Sequence, residues 1–449
     1  MLKELLKPEI QELIESHNWN DLKVVLSSWP APEISDLLLD IDKRDKVLLF
    51  RSLPKEISTD VFSYLEHEEQ DELIRQFTDQ ETKELLADMS PDDRTSFLEE
   101  LPARVTKRLF DLLSPEDLKE ARELLGYPEE SIGRLMTPDF VAVRPDWSIK
   151  KSLEHIRQFG KDSETINRIY VTDTKGKLLD DILLRYIILA KETQIIDELL
   201  DYNVVSVSAN DDQEDAVRTM EKYDISALPV VNSEGELVGI VTFDDIMDIS
   251  KEEVTEDFQK ISAISPFDAS YSNASVWHLW AKRIPWLFFL LIANFLTTGV
   301  ISFFSNELQA IIALAFFIPM LTDTGGNTGT QSATLVIRGL STGDIELKDW
   351  ARVISKELVV GIFLGIVLAG VAYFRGLLIG DDGTQIAIVI SSAMLLLVIW
   401  SNLIGTILPL LLYKLKLDPA VVSSPFITTF VDVTGLLIYF NIARLVLDL

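Results

Sequence analysis

Two stretches of this chain hold the residues best suited to chemistry. Residues 319–332 read Pro319-Met-Leu-Thr-Asp-Thr-Gly-Gly-Asn-Thr-Gly-Thr-Gln331-Ser332, setting glycines, amides, hydroxyls and one acid inside a strongly apolar region. Unpaired backbone N–H and C=O groups each cost several kcal/mol in hydrocarbon, so a glycine-broken polar segment at membrane depth belongs in a pore or binding site. The second stretch, Pro425-Phe-Ile-Thr-Thr-Phe-Val-Asp432-Val-Thr-Gly435, carries an acid in mid-run. A carboxylate at the centre of a membrane span costs at least ~2.5 kcal/mol. Thr428 lies one helical turn before Asp432, with Ser424 and Gly435 near the same face, a narrow polar stripe that suits a hydrated cation. A packing role, with Asp432 bonded to a neighbouring helix, is the plainer alternative.

Other chemistries are poorly supplied. Asp323-Thr-Gly325 matches the aspartic-protease triplet and could pair with Asp432, but the Gly-x-Gly-Asp signature of intramembrane aspartyl proteases is absent. The chain has no cysteine, which excludes disulfides, zinc-thiolate sites and thiol catalysis. It also lacks a Gly-x-x-x-x-Gly-Lys-Ser/Thr loop, so no hydrolytic motor is legible. These readings point away from an enzyme. Softer metals prefer His or Cys; His17, His67, His155 and His278 all fall outside the expected spans, so hard cations are favoured.

The elements that must position these residues divide the chain sharply. From Pro266 onward there are 10 basic and 12 acidic residues, leaving 31 basic and 59 acidic residues before it. A highly acidic half, which repels nucleic acid and attracts cations, precedes a nearly neutral apolar half. The apolar half holds five segments long enough to cross about 30 Å of hydrocarbon, near 284–304, 309–337, 353–374, 385–413 and 420–446. With the N-terminus in the cytoplasm, Lys282, Arg283, Arg338, Lys348, Arg352, Lys356, Lys414 and Lys416 lie inside, and only Arg375 and Arg444 outside. That bias obeys the positive-inside rule and puts the C-terminus outside. The acidic, amphipathic N-terminal segment is not a secretory signal.

Within the acidic half, residues 1–130 read as short helices. Ser90-Pro91-Asp92-Asp93 and Ser114-Pro115-Glu116-Asp117 repeat one start signal 24 residues apart: a Ser N-cap, Pro in the first turn, then acids. Leu-Pro pairs at 53–54 and 101–102 fall two such intervals apart, which predicts either a stack of helix pairs or an ordinary bundle. Residues 131–249 alternate short β runs with helices, twice. The second copy is clearer: strand Val204–Ser208, a helix from Asp211, strands from Ala227 and Leu237 around the turn at Ser233-Glu-Gly, and a helix opened by Asp244-Asp245. A charged connecting segment, 250–270, precedes the membrane domain at 271–449.

The tandem at 131–249 resembles a CBS-domain pair. Such modules usually carry Gly-Val-x-Ser/Thr-x-x-Asp. The first copy here reads Leu179-Asp-Asp-Ile-Leu-Leu-Arg-Tyr186 and lacks the usual ribose-binding Asp, leaving ATP or another adenine nucleotide an open question. The whole chain resembles the MgtE-type magnesium channels, in an α-helical superhelical N-domain, an α/β CBS tandem, a connecting (plug) helix and an all-α transmembrane domain of five helices. The resemblance is carried by Pro319…Gly325-Gly326-Asn327-Thr-Gly-Thr-Gln331-Ser-Ala-Thr and by Asp418-Pro-Ala-Val-Val-Ser…Pro425…Asp432-Val-Thr-Gly435.

The resemblance implies a homodimer in the bacterial plasma (inner) membrane that passes Mg2+ inward along the potential. Asp432 would be the essential ligand, acting through bound waters, with carbonyls near Gly325 and Thr428, and Gly326, Asn327, Gln331, Ser424 and Gly435 lining the path. Ser424 departs from the Asn often found there. Mg2+ suits such a site because it demands octahedral oxygen ligands at about 2.0–2.1 Å and sheds water reluctantly. The resemblance also implies a gate closed by internal Mg2+ on Asp92, Glu214, Asp224, Asp245, Asp248, Glu253, Glu256, Asp257 and Asp418. Moving a gate from mostly open to mostly shut needs about 5.5 kcal/mol of differential binding, which several shared acids can reach. Two further readings stand beside this one: a membrane-anchored CBS sensor that moves no ions, and a transporter of another divalent cation such as Co2+ or Mn2+.

Overall fold

The computed structural model describes residues 10, 12–14, 16, 18–267, 271, 274–378 and 383–448; residues 1–9 of the acidic N-terminal segment and His17 lie outside them. The chain divides into two compact units, Met1–Ser250 and Lys251–Leu449.

The first unit opens with a run of short helices: α1 Trp19–Leu26, α2 Ala31–Leu39, α3 Lys43–Ser52, α4 Lys55–Ser63, α5 His67–Gln76, α6 Asp79–Asp88, α7 Pro91–Glu99, α8 Ala103–Phe110 and α9 Pro115–Leu124. They begin at 19, 31, 43, 55, 67, 79, 91, 103 and 115, one every 12 residues, so the 24-residue interval in the sequence is a helix pair. The core keeps the same beat. Leu26, Leu38, Phe50, Phe62, Ile74, Leu86 and Leu98 recur every 12 residues and are all buried. Helices this short are marginal in isolation, and each is held by stacking on its neighbours, as in a solenoid. Ser114 caps α9 as expected, its hydroxyl accepting from Asp117 N at 3.1 Å. Ser90 differs: at the equivalent place in α7 it makes no cap bond and bonds the Asp92 side chain instead.

After the short α10 (Ile132–Leu135) come two three-stranded sheets of matching design. The first is β1 (Ala142–Val143), β2 (Arg168–Thr172) and β3 (Leu178–Leu183), with α11 (Ile149–Phe159) between β1 and β2 and α12 (Leu184–Leu189) after β3. The second is β4 (Val207–Ser208), β5 (Ala227–Val231) and β6 (Leu237–Thr242), with α13 (Gln213–Tyr223) between β4 and β5 and α14 (Phe243–Ile261) after β6. In each sheet the first pair is parallel and the second antiparallel. The two copies join at their turns, where Leu178 N bonds Gly235 O and Leu237 N bonds Gly176 O, both at 3.0 Å. The strand expected over Val204–Ser208 is only its last two residues. The break between the two units falls within α14.

The second unit continues with α15 (Val276–Phe303), α16 (Ser305–Ala310), α17 (Ile318–Ser341), α18 (Trp350–Leu377), α19 (Gly383–Lys414) and α20 (Ser424–Leu447). By length and composition α15, α18, α19 and α20 can cross a membrane. α17 has the length, with 24 residues, but its polar run lowers its hydropathy. The expected start of the second span at 309 is displaced, because α16 and a 3-10 turn over Ile312–Phe317 precede α17. A larger correction concerns residues 319–332. They do not break the backbone; they form continuous α-helix from Ile318 to Ser341. The glycines serve packing instead. A Cβ on Gly405 of α19 would sit 2.2 Å from the Gly329 carbonyl oxygen of α17, so the two helices meet backbone to backbone.

Candidate functional site

The helical form of 318–341 sorts its polar residues onto two faces. Gly325, Gly326, Thr328, Gly329 and Ser332 are buried within the chain. Asp323, Asn327 and Gln331, spaced four apart, are exposed along one side. Asn327 Nδ2 donates to Asp323 Oδ2 at 3.2 Å, tying the stripe together. Gly326 packs on Thr428 of α20, and Gly325 on Val431 and Leu397. The Gly325 carbonyl lies within the helical ladder of α17, which leaves it one lone pair for an ion's water. Gly435 likewise packs on Leu397 rather than facing outward with the stripe.

Asp432 is half-buried in α20, and its Oδ1 is buried with no hydrogen-bond partner. The charged neighbour acting on it is Asp323 of α17. A buried, unpartnered carboxylate oxygen is expensive in hydrocarbon, and a lock to a neighbouring helix would have satisfied it. Thr428 donates its hydroxyl to Ser424 O at 3.0 Å, one turn back along α20.

One intramembrane acid escaped the sequence reading. Glu357 lies in α18, where Asn402 of α19 donates from Nδ2 to Glu357 Oε2 at 2.8 Å and to its backbone carbonyl at 2.7 Å. Ser332 of α17 donates to the same oxygen at 3.3 Å and pairs with Thr406 at 2.8 Å. This network fastens the polar helix to two neighbours. The signal was present, an acid one turn inside the apolar run from 353, but its neighbour Lys356 drew it into the flanking charges.

The predicted gate acids fall into two groups. In the first unit, Asp92 and Asp93 open α7 while Asp244 and Asp245 open α14, and the solenoid–CBS packing brings these starts within electrostatic reach. Burial pushes the Asp92 carboxyl well above the usual carboxylate range, reinforced by Asp245, Asp93 and Glu164. Burial also pushes Asp245 up to about 7, against a bond from the Thr242 hydroxyl at 2.6 Å. The Asp92 Oδ1 has no partner. Asp93 and Asp244 adjoin predicted acids in the sequence but were not singled out, whereas Glu164 joins them only through the fold. Glu214 sits in the first turn of α13, paired with Arg218, and Asp224 ends that helix in the left-handed conformation, φ 52°. Asp248 lies further along α14, and Glu253 lies on the same helix past the break, in the second unit.

In the second unit, Glu256 and Asp257 of α14 meet Asp418, which caps the 3-10 turn before α20 by accepting from Ala420 N at 2.7 Å. Asp257 accepts from Ser341 Oγ at 3.1 Å; burial raises its pKa, reinforced by Asp418. Lys260 lies between Glu256 and Asp418. Among the described residues, no three His, Asp or Glu side chains converge tightly enough to hold a bare metal ion.

A polar stripe and a half-buried acid on helices long enough to cross a membrane, in a chain that also carries a CBS pair and an acidic solenoid, fit the class of membrane ion transporters. Comparison with known proteins agrees. The family profile described as "Divalent cation transporter" matches residues 318–442, "MgtE intracellular N domain" matches 29–130, and "CBS domain" matches 132–191 and 196–252. The chain is 44% identical over 333 residues to the magnesium transporter MgtE of Thermus thermophilus, covering 73% of each. It is 37% identical over 325 residues to that of Bacillus subtilis, covering 72% of this chain and 71% of the relative. The crystal structure of the cytosolic domain of the Mg2+ channel MgtE in complex with ATP aligns with a TM-score of 0.52 at 36% identity, covering 54% of this chain and 98% of that one. The chain belongs to the MgtE magnesium transporter family.

Proposed function

We propose that this protein conducts Mg2+ into the cytoplasm down its electrochemical gradient, and that internal Mg2+ closes it. The observation that carries the reading is the intramembrane Asp432, with a buried unpartnered oxygen, near the outward stripe Asp323–Asn327–Gln331. Oxygen donors alone, without Cys or His, favour a hard ion that keeps its waters. In a single chain the stripe faces away from the packed core, where lipid would leave its polar groups unsatisfied. A second copy covering it, with water between, accounts for that exposure; we take the working unit as a homodimer in the bacterial plasma membrane. The solenoid and CBS pair then lie in the cytoplasm and the C-terminus outside, as the Lys and Arg bias predicts. The working divisions are 1–130, 131–249, 250–270 and 271–449.

The gate reading rests on two acid groups that suit a divalent cation. Asp92 offers a buried oxygen with no partner, and the second group already embraces an ammonium, a cation standing where a metal would. Bound Mg2+ would favour the conformation that draws each set of carboxylates together. ATP is bound by the relative's cytosolic domain. In this chain the first copy does not fit a ribose. Tyr186 follows β3 where Asp245 follows β6, and Arg185 lies over its ring, 4.9 Å from the centroid.

The test is Mg2+ flux into liposomes holding purified protein, at low and high Mg2+ on the cytoplasmic side. Asp432→Ala should reduce flux to background, and the wild type should be suppressed by high internal Mg2+. Full flux through Asp432→Ala would remove Asp432 from the path.

A further inference from the structure

The last turns of α14 put Glu256, Asp257 and Lys260 on one side of the helix, at positions i, i+1 and i+4. Lys260 Nζ lies 2.6 Å from Glu256 Oε1 and 2.7 Å from Asp418 Oδ2. Asp418 spends its other oxygen on the Ala420 N–H. Asp257 feels both Asp418 and Glu256 as like charges and is held by the Ser341 hydroxyl at the end of α17. Two carboxylates thus bracket one ammonium, and Asp257 lies within electrostatic reach of all three groups. Burial works against that charge, but the two bonded carboxylates outweigh it and hold the lysine's pKa above its ordinary value. Lys260 is therefore a permanent cation in this cluster.

We infer that Lys260 is a tethered competitor for the divalent cation, and that Mg2+ binds at Glu256, Asp257 and Asp418 only by displacing the ammonium from Asp418. The inference rests on the proposed closing of the path by internal Mg2+. An ammonium is a compact point charge on a flexible stem, so it can both fill a cation position and swing out of it. Mg2+ needs its oxygens at about 2.0–2.1 Å, and an ammonium 2.7 Å from Asp418 Oδ2 would repel a divalent cation placed on that oxygen. Two consequences follow. Without metal, α14 stays fastened to the start of α20 through Lys260 and to the end of α17 through Asp257. With metal, closing requires more Mg2+ than the three carboxylates alone would demand.

The experiment uses the full-length protein and two readouts. One is the internal Mg2+ that halves flux in liposomes. The other is the Mg2+ concentration that protects α14 from protease in detergent. Lys260→Gln should lower both concentrations by roughly two- to fivefold, the scale of one partly exposed ion pair. Lys260→Met, uncharged and of similar length, should behave the same way. Lys260→Arg should stay near the wild type, because it keeps the charge. Unchanged or higher concentrations in both Gln and Met variants would overturn the inference and make Lys260 a closing latch. A wild type whose flux ignores internal Mg2+ would overturn the gate itself, and this inference with it. A wild type that closes while both variants close no earlier would overturn the inference alone.

Discussion

The first turn of α14 carries Asp244 and Asp245 toward the acids that open α7, and the charges acting most strongly on Asp92 there are themselves carboxylates. The last turns of the same helix carry Glu256 and Asp257 toward Asp418, and a lysine sits among them. The difference lies in how each group sheds its repulsion. Acids gathered without a counter-ion must take up protons or a cation from solution, so their packing reports on solution conditions. Acids gathered around a lysine are already neutralised in part, so they hold together in metal-free buffer and exchange one cation for another. The first group should act as a sensor and the second as a latch with an adjustable threshold.

The largest effect that could break this contrast is the loss of both central acids of the first group. Asp92→Asn with Asp245→Asn should raise the internal Mg2+ needed to halve flux by about tenfold or more, since each decade is about 1.4 kcal/mol of lost binding. The same pair should make the first unit more resistant to protease in metal-free buffer, because the repulsion has gone. A normal threshold in the double variant would show that the second group gates alone.

Next in size is the response to pH. Asp245 titrates near 7 when folded, and Asp92 above its ordinary range, so folded protein binds more protons than unfolded between about pH 4 and 7. Their contribution to stability is fully present below about pH 4 and is lost as pH rises through 7. Protease resistance of the first unit without divalent cations should therefore fall from pH 5 to pH 8, and millimolar Mg2+ should restore it most at the alkaline end. The lysine of the second group works with the same sign but in a more alkaline window. Its stabilisation is present below the ordinary lysine value and is lost only above its raised value, beyond this window. Cleavage near α14's end should change much less over the same pH range.

The chain showed some of this more plainly than the rest. The solenoid was legible because Ser-Pro-acid and Leu-Pro signals mark helix starts, although only the core series from Leu26 to Leu98 shows that the period is 12 rather than 24. The strand–helix–strand order of the second CBS copy was legible from Ala227 to Thr242, where β-branched residues flank a Gly turn. The polar segment at 319–332 was misread as broken backbone because glycine's poor helix propensity was weighed without tertiary context. In the fold, those glycines let α17 and α19 meet closely, and that packing outweighs propensity. Asp432 stood out by its position in an apolar run. Lys260 could not, because its meaning depends on Asp418, 158 residues away, which only the fold brings to it.

The finest test of the contrast removes one hydroxyl from each group. Thr242 donates to Asp245 from three residues away, so the bond joins nothing beyond the strand end and its own helix. Ser341 donates to Asp257 across 84 residues, from the end of α17 to α14. Each bond is worth about 1 kcal/mol net, roughly fivefold in an equilibrium. Thr242→Val removes a donor that favours the ionised acid, so Asp245 should titrate higher and the pH-dependent loss of protection should move toward alkaline pH. Its Mg2+ threshold should move little. Ser341→Ala loosens α14 from α17, so its threshold should rise by up to about fivefold while the pH profile of the first unit stays in place. If the two substitutions shift the same readout, the groups form a single cooperative site and the division between sensor and latch fails.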